Sequence, residues 1–344
     1  MSGSQVSASR KAFRASVLGI VLSGLCGCAG LAGARMDVLA VAVQRPSQVA
    51  AYVRLSGNDS PPGALTAEQF QVFEDDQPLS ATETQQTLLD RTSVATHHTL
   101  LLVDVSQVSK AGVRRELAVA LSTFAEAIRT VQDVSVFAFD GSPKLRLIAE
   151  LTESSQSTPA ALERALPAAP KDASRDLHGA LVQAAEQLTR RLATKGKPLR
   201  VGTLVVFAGG PDLAGRLNEN DVWTQLERSG HTTLAVGVGA SSSLLQQLGE
   251  GGFIDAHSLD TLSLAFEEAA HRVRAEDAMH HLFAYCSPAR AGTRRLRLEA
   301  RVAAAGGTPR TASATAEFDA TGFVSGCNPR AVPRFPAATA RVAR

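Results

Sequence analysis

The stretch TLLLVDVSQVS, residues 99–109, is the clearest structural signal in this chain. Its unbroken apolar run ends in Asp104 and Ser106, which is the pattern of a buried parallel strand that delivers polar groups to a sheet edge. The next segment, residues 114–130, has the apolar spacing of a helix. We therefore expect Asp104 and Ser106 in the loop between strand and helix, at the carboxyl edge where open α/β sheets bind ligands.

Strands and helices alternate through the remainder of the central segment. Strands are predicted at residues 134–139, 145–151, 204–207, 233–238 and 253–255, and helices at residues 176–194, 221–229 and 259–274. This alternation predicts an α/β domain with a doubly wound, mainly parallel sheet and helices on both of its faces.

Short strand-like segments lie on both sides of the central domain. They predict a small all-β module before it, within residues 28–96, and another after it, within residues 277–327. One further strand of the second module is predicted at residues 322–324. The α/β domain then covers residues 97–276. The tail, residues 328–344, is rich in Pro, Ala and Arg and is predicted to be disordered.

The first 27 residues have the pattern of an export signal. Arg10, Lys11 and Arg14 precede an apolar run at residues 15–25, which is followed by small residues. The run is too short to span a bilayer, which requires roughly 20 apolar residues. This pattern predicts a protein of the cell envelope.

The end of this segment, Leu25-Cys26-Gly27-Cys28, resembles the cleavage box of bacterial lipoproteins. In that family a small residue precedes a cysteine that is acylated and becomes the new amino terminus. Cys28 fits because it follows Gly27, whereas Cys26 follows the bulky Leu25. An alanine after Cys28 favours, by resemblance to enteric lipoproteins, the outer membrane of a Gram-negative bacterium. The alternative is an ordinary secretory signal with incidental cysteines, and the side of the membrane stays open.

Only Cys286 and Cys327 remain after this signal. An exported compartment is oxidising, so a disulfide between them is predicted. No third or fourth ligand stands at a zinc-like spacing, and metal binding by these two cysteines is therefore not expected.

Charge is nearly balanced, with 35 basic and 33 acidic residues. This balance does not predict a nucleic-acid surface.

The central domain resembles a von Willebrand factor A domain over about 180 residues, from His97 to about Arg274. The resemblance rests on Asp104-x-Ser106, on Asp176-Leu177-x-x-Ala180-Leu181, and on Val205-Val206-Phe207 followed by glycines. The segment at residues 63–76 also resembles the stretch that precedes such domains in many exported bacterial proteins, with Asp76 in place of the usual turn glycine. The resemblance implies a von Willebrand factor A type of doubly wound sheet.

The resemblance also implies a metal site at the sheet edge. In that family an Asp-x-Ser-x-Ser loop, a threonine and a second aspartate hold a divalent cation, and an open coordination position accepts a partner's carboxylate. Asp104 and Ser106 match the first two ligands. Val108, Arg175 and Gly209 occupy the other three positions. We therefore predict a vestigial site with weak or absent Mg²⁺ binding, in which Arg175 pairs with Asp104. The alternative is a site rebuilt by Ser109 and Asp212.

Three functions follow from these patterns. The first is a membrane-anchored, non-enzymatic scaffold lipoprotein that binds an unidentified protein partner. Its partner-binding edge consists of Asp104, Ser106, Ser109, Arg175 and Asp212. The second is a cation-dependent adhesin with a rebuilt metal site, and the third is a hydrolase with an unrecognised active site. The first is favoured because the histidines are scattered without a triad-like setting and no P-loop or nucleophile elbow occurs. Partner identity and oligomeric state are not predicted.

Overall fold

The computed structural model of this protein describes residues 33–57, 61–110, 112–155, 157–238, 243–248, 251–302 and 309–339. The predicted export signal, Cys26 and Cys28 lie outside these residues. The strands are β1 (Arg35–Gln44), β2 (Gln48–Ser56), β3 (Phe70–Glu74), β4 (Gln77–Pro78), β5 (Thr87–Leu89), β6 (Ala95–Asp104), β7 (Asp133–Phe139), β8 (Arg146–Leu151), β9 (Leu199–Ala208), β10 (Thr232–Gly237), β11 (Phe253–Asp255), β12 (His280–Cys286), β13 (Thr293–Val302), β14 (Arg310–Asp319) and β15 (Ala338–Thr339). The helices are α1 (Val113–Ile128), α2 (Pro159–Ala165), α3 (Leu177–Thr194), α4 (Glu219–Ser229), α5 (Ser243–Gln247) and α6 (Leu262–Ala278). Among the described residues, no helix combines the length and apolar composition that crossing a bilayer requires.

The central sheet has the strand order β11-β10-β9-β6-β7-β8. All neighbours along it are parallel except β7 and β8, so the antiparallel strand lies at one edge. The predicted fold class, a doubly wound and mainly parallel sheet with helices on both faces, is confirmed. The short helices α2 and α5 were not predicted, because each has too few residues for a clear apolar period.

Strand β6 lies at the centre of this sheet, and its residues alternate between two cores. Leu101 and Val103 pack with α1, α2 and α6 on one face. Leu100 and Leu102 pack with α3, α4 and α5 on the other. Because helices cover both faces of β6, polar residues do not alternate with apolar ones in this part of the strand. Residues 100–103 therefore form one continuous apolar run.

The flanking strands differ from the prediction of two separate β modules, because strands from both sides of the central domain share two sheets. One sheet has the order β1-β2-β12-β5 and the other has the order β14-β13-β3-β4. Val53, Phe70, Phe283 and Leu298 belong to one core that both sheets enclose. A few strands with one apolar face bury too little surface to be stable alone, and the two segments therefore combine.

Cys286 and Cys327 form the predicted disulfide, which links the end of β12 to the segment after β14. Residues 322–324 form no strand in this segment, in contrast to the prediction. Phe323 instead packs into the core between the two sheets. The disulfide therefore attaches the start of the tail to the flanking sheets.

The prediction that residues 328–344 are disordered does not hold for the described part of the tail, residues 328–339. Gln48 Nε2 donates to the backbone oxygens of Pro329, at 3.0 Å, and Ala331, at 2.7 Å. Phe335 is buried. Strand β15 extends β9 in parallel. The composition suggested disorder, but the buried phenylalanine and the backbone pairing attach this segment to the fold.

Candidate functional site

The candidate site lies at the carboxyl edge of the central sheet, where three chain segments meet. Strands β6 and β9 are parallel neighbours, with Val103 opposite Phe207, so the residues that follow them lie side by side. The third segment precedes α3 and is held to the end of β7, because the Asp176 N–H donates to the Asp140 carbonyl at 3.0 Å. This arrangement brings the predicted residues Asp104, Ser106 and Arg175 together.

Arg175 occupies the centre of the site. Its Nε donates to Asp104 Oδ2, its Nη2 donates to Ser106 Oγ at 3.2 Å, and its Nη1 donates to the Pro211 carbonyl at 3.2 Å. Both the Arg175 and Asp104 side chains are only 3% exposed. The predicted internal ion pair is therefore present, and it is buried.

The remaining acceptor capacity of Asp104 is used by the backbone. Its Oδ2 accepts from the Gly209 N–H at 3.0 Å and its Oδ1 from the Ser106 N–H at 2.9 Å. Gly210 makes room for the guanidinium, since a Cβ there would lie 2.9 Å from Arg175 Nη1. A Cβ at Gly209 would lie 3.6 Å from both Arg175 Nη2 and Asp104 Oδ2.

The residues at this site do not fit a divalent cation. A fixed positive charge on Arg175 beside Asp104 would repel the ion. Val108, at the third loop position, is 2% exposed and packs in the core with Val105 and Leu117. No group of three or more His, Cys, Asp or Glu residues suited to a metal occurs in the described parts of the chain.

The alternative, a rebuilt metal site, would use Ser109 and Asp212. Ser109 is exposed. Asp212 is bonded through both oxygens, because Oδ1 accepts from the His178 N–H at 3.1 Å and Oδ2 from the Gly215 N–H at 2.8 Å. Asp212 therefore ties its own loop to the start of α3.

The segment at residues 209–217, here called the edge loop, is hydrogen-bonded to Arg175 through its backbone. The N–H groups of Leu213 and Ala214 both donate to the Arg175 carbonyl, at 2.8 and 3.0 Å. The Leu213 side chain is 62% exposed and that of Leu217 is 36% exposed. Sequence reasoning missed these leucines, although two large apolar residues among Gly, Pro and charged residues are an unusual composition for a loop.

The neighbouring carboxylates have structural roles. Asp176 caps α3 by accepting from the Gly179 N–H at 3.1 Å, and it pairs with Arg216 Nε at 3.2 Å. Burial raises the pKa of Asp176. For Asp140, burial opposes ionisation, but hydrogen bonds from Ser142 and from the Lys171 N–H outweigh burial and lower the pKa.

A second polar cluster corrects the expectation that no histidine has a triad-like setting. Tyr52 Oη lies 2.6 Å from His97 Nε2, and His97 Nδ1 lies 2.8 Å from Asp277 Oδ1. Arg91 also donates to Asp277. Tyr52 is fully buried, and its burial raises its pKa, so the phenol is held in its neutral form. The cluster joins β2, β6 and α6, and its burial indicates a structural role.

No protein-family model matches the sequence, and no curated protein gives a significant match. Solved structures with similarity include a von Willebrand factor type A protein from Catenulispora acidiphila, with a TM-score of 0.44 and 10% identity over 83% of this chain and 72% of that chain. Proximal thread matrix protein 1 from the mussel byssus has a TM-score of 0.42 and 14% identity over 52% of this chain and 48% of that chain. The vWF domain of the type V pili tip protein Mfa5 from Porphyromonas gingivalis has a TM-score of 0.39 and 9% identity over 53% of this chain and 96% of that chain. At these identities the similarity concerns the fold alone.

Proposed function

We propose that this chain is a non-enzymatic, protein-binding lipoprotein of the bacterial cell envelope, which docks its partner at the carboxyl edge of the central sheet without a metal ion. The observation that supports this function is the position of Arg175. Its guanidinium is buried against Asp104 and Ser106, where the family resemblance implies a cation. With Arg175 in that position, Asp104 does not hold a cation to which a partner's carboxylate could bind.

The edge loop supplies the contact surface in this proposal. Asp104, Ser106 and Arg175 were predicted to touch the partner, but their burial assigns them to supporting the loop instead. Binding residues are often carried on loops that a rigid scaffold positions, and the edge loop presents two exposed leucines from such a scaffold. Leu213 has the more exposed side chain of the two, and its backbone is fixed by Arg175.

A non-enzymatic role is supported by the environment of Ser106. Its Oγ accepts a hydrogen bond from Arg175, and a guanidinium does not act as a general base. His97, which does have a triad-like setting, is 6% exposed and bonded to Tyr52 and Asp277. Neither residue offers the accessible nucleophile and base that a hydrolase requires.

Membrane attachment through a lipid on Cys28 is the second part of the proposal. It is supported by the export pattern and by the small residue before Cys28. Two acyl chains hold a protein stably on a membrane, whereas one chain is marginal. The outer membrane of a Gram-negative bacterium is the proposed location.

A photo-reactive residue at Leu213 tests the docking surface in native membranes. The matched control is Leu264 on α6, because the two side chains are 62% and 65% exposed. We expect position 213 to form a discrete covalent adduct with one protein and position 264 to form none. No adduct from either position, or the same adducts from both, would contradict the proposal.

Two additions to this experiment separate the alternatives. A cation-dependent adhesin would lose the Leu213 adduct in EDTA, and we expect the adduct to persist. A hydrolase would be labelled at Ser106 by a fluorophosphonate, and we expect no labelling there.

A further inference from the structure

We propose that a cavity beside the edge loop binds an acidic segment of the partner protein that also carries an apolar side chain. This inference rests on the proposed function and names the chemistry of the partner. The cavity, here called the basic cavity, has a volume of about 350 Å³. It lies between the end of β7, the start of β8 and the segment before α3. Its size is at the lower end of the range of ligand sites.

The floor of the basic cavity is apolar and continuous with the candidate site. Val105, Ala138 and Phe139 line it and are buried. Val105 follows Asp104 directly, and its N–H donates to the Phe139 carbonyl at 2.8 Å. An occupant of the cavity would therefore lie at the same sheet edge as the partner surface of the edge loop.

The rim of the basic cavity carries three exposed cations, Lys144, Arg146 and Lys171. Within the described ranges none of these side chains forms an ion pair with a carboxylate at 4.0 Å or less. The nearby Asp172 is engaged by the Ser174 N–H at 2.9 Å. Exposed cations that form no ion pair with a carboxylate attract an acidic partner and orient it during association.

One carboxylate, Asp140, also lines the basic cavity. Its oxygens accept from the Ser142 N–H and the Lys171 N–H, each at 2.7 Å. These two backbone donors are therefore already occupied and do not serve a free phosphate. An anion without an apolar part would leave the apolar floor of the cavity uncovered. A peptide that places an apolar group on the floor and carboxylates at the rim uses both parts of the cavity.

Binding of a fluorescein-labelled peptide of alternating glutamate and leucine, followed by anisotropy, tests this inference directly. The test variant carries Lys144→Glu, Arg146→Glu and Lys171→Glu. The matched control carries Arg190→Glu, Arg274→Glu and Arg301→Glu, which are exposed positions outside the cavity with the same change in charge. The single variant Lys144→Glu provides a second reading, and thermal unfolding shows that each protein is folded.

We expect the wild type to bind the peptide saturably, and more weakly as salt rises. The triple cavity variant should bind at least about tenfold more weakly, Lys144→Glu should be intermediate, and the control should match the wild type. Replacing glutamate by glutamine in the peptide should abolish binding. Absent binding, or equal binding by the cavity and control variants, would overturn the inference.

Inorganic phosphate and phosphatidylglycerol vesicles are each tested for direct binding to the wild type and to the triple cavity variant. If either binds in a cavity-dependent way while the peptide does not, the partner segment is the wrong ligand.

The Leu213 adduct distinguishes the two proposals. If that adduct persists in the triple cavity variant and its peptide binding is unchanged, this inference fails and the proposed function stands. If the wild type forms no adduct, the proposed function fails.

Discussion

Arg175 and Asp104 are 71 residues apart in the chain and form a buried ion pair at the carboxyl edge of the central sheet. Each charge loses its hydration there, and each depends on the other for compensation. The pair sits where the family resemblance implies a metal ion. The predictions for stability and for metal binding at this edge therefore concern the same two side chains.

Metal titration should leave the stability of the wild type unchanged. Arg175 occupies the position of the cation, and a ligand that binds only the folded state would raise the melting temperature. Mg²⁺ or Mn²⁺ is added to the purified protein while thermal unfolding is followed. A saturable upward shift that Asp104→Ala abolishes would contradict the metal-free site.

Removing one partner of the pair should destabilise the fold strongly. Arg175→Ala and Asp104→Ala should each lower the free energy of unfolding by about 3–5 kcal/mol, because the other charge stays buried without compensation. The double variant should cost less than the sum of the two. Urea unfolding of all four proteins measures this coupling. The matched control is Arg190→Ala, whose partner Glu186 is 49% exposed, and it should change little. Additive losses would argue against a coupled pair.

Stability should fall as the pH drops from about 6.5 toward 4. Burial lowers the pKa of His98 to about 4, and Lys195 adds to the shift. Burial also lowers the pKa of His281 to about 4. Between these values and the ordinary histidine pKa of about 6.5, the unfolded chain takes up protons that the folded chain does not, so unfolding becomes easier. We expect a loss on the order of 2 kcal/mol per histidine at about pH 4.5.

Urea unfolding at about pH 7.5 and pH 4.5 measures this dependence. His98→Gln should reduce it, because the His98 side chain lies in the core and its Nε2 bonds Ser135 Oγ at 2.8 Å. His257→Gln is the control, since that side chain is 81% exposed. A wild type equally stable at both pH values, or an equal effect of the two substitutions, would refute the assignment.

Asp277 does not contribute to the loss of stability between about pH 6.5 and 4. Burial opposes the ionisation of Asp277, but hydrogen bonds and charge from His97 and Arg91 lower its pKa. The stability that this carboxylate contributes is therefore lost only below about pH 3.8.

Loss of the disulfide should destabilise the flanking sheets. Cys286 and Cys327 are separated by 41 residues, for which the chain-entropy model gives about 4 kcal/mol. The variant Cys286→Ser/Cys327→Ser should therefore unfold at lower urea concentration than the wild type. Reductant should weaken the wild type and leave the double variant unchanged. Equal unfolding midpoints for the oxidised wild type and the variant would contradict this expectation.

Replacement of the predicted lipidation residue should release the protein from membranes. Cys28→Ala removes the proposed acyl attachment point, whereas Cys26→Ala leaves it in place. Fractionation of cells should move the Cys28→Ala protein into the soluble fraction and leave the Cys26→Ala protein with the membranes. Sedimentation of both with the membranes would argue against this anchor.

The central domain was predictable because its signals are local. A strand covered on both faces must be apolar along its length, as residues 99–103 are, and an amphipathic helix repeats its apolar residues every turn. The expectation that Val108, Arg175 and Gly209 stand in place of three metal ligands came from the family resemblance, and it stays a prediction. The Asp104–Arg175 pair followed from charge complementarity at one sheet edge.

The flanking sheets were not predictable in the same way. Strand β12 pairs with β2, with Leu282 opposite Tyr52, and no local pattern records a partner so distant in the chain. The Tyr52–His97–Asp277 cluster depends on that pairing. The tail was misjudged for the same reason, because its composition does not reveal that Phe335 finds a buried place beside Leu199 and Leu282.

Local periodicity therefore established the doubly wound domain, since alternation and spacing report which faces of a segment are buried, whereas the expectation of a vestigial metal site came from the family resemblance. Four features came from three-dimensional packing: the shared β sheets, the attachment of residues 328–339 to the fold, the exposure of Leu213, and the shared cavity lining by Lys144, Arg146 and Lys171. Those features depend on which distant segments cover one another, and burial patterns within a segment do not specify the identity of the covering partner.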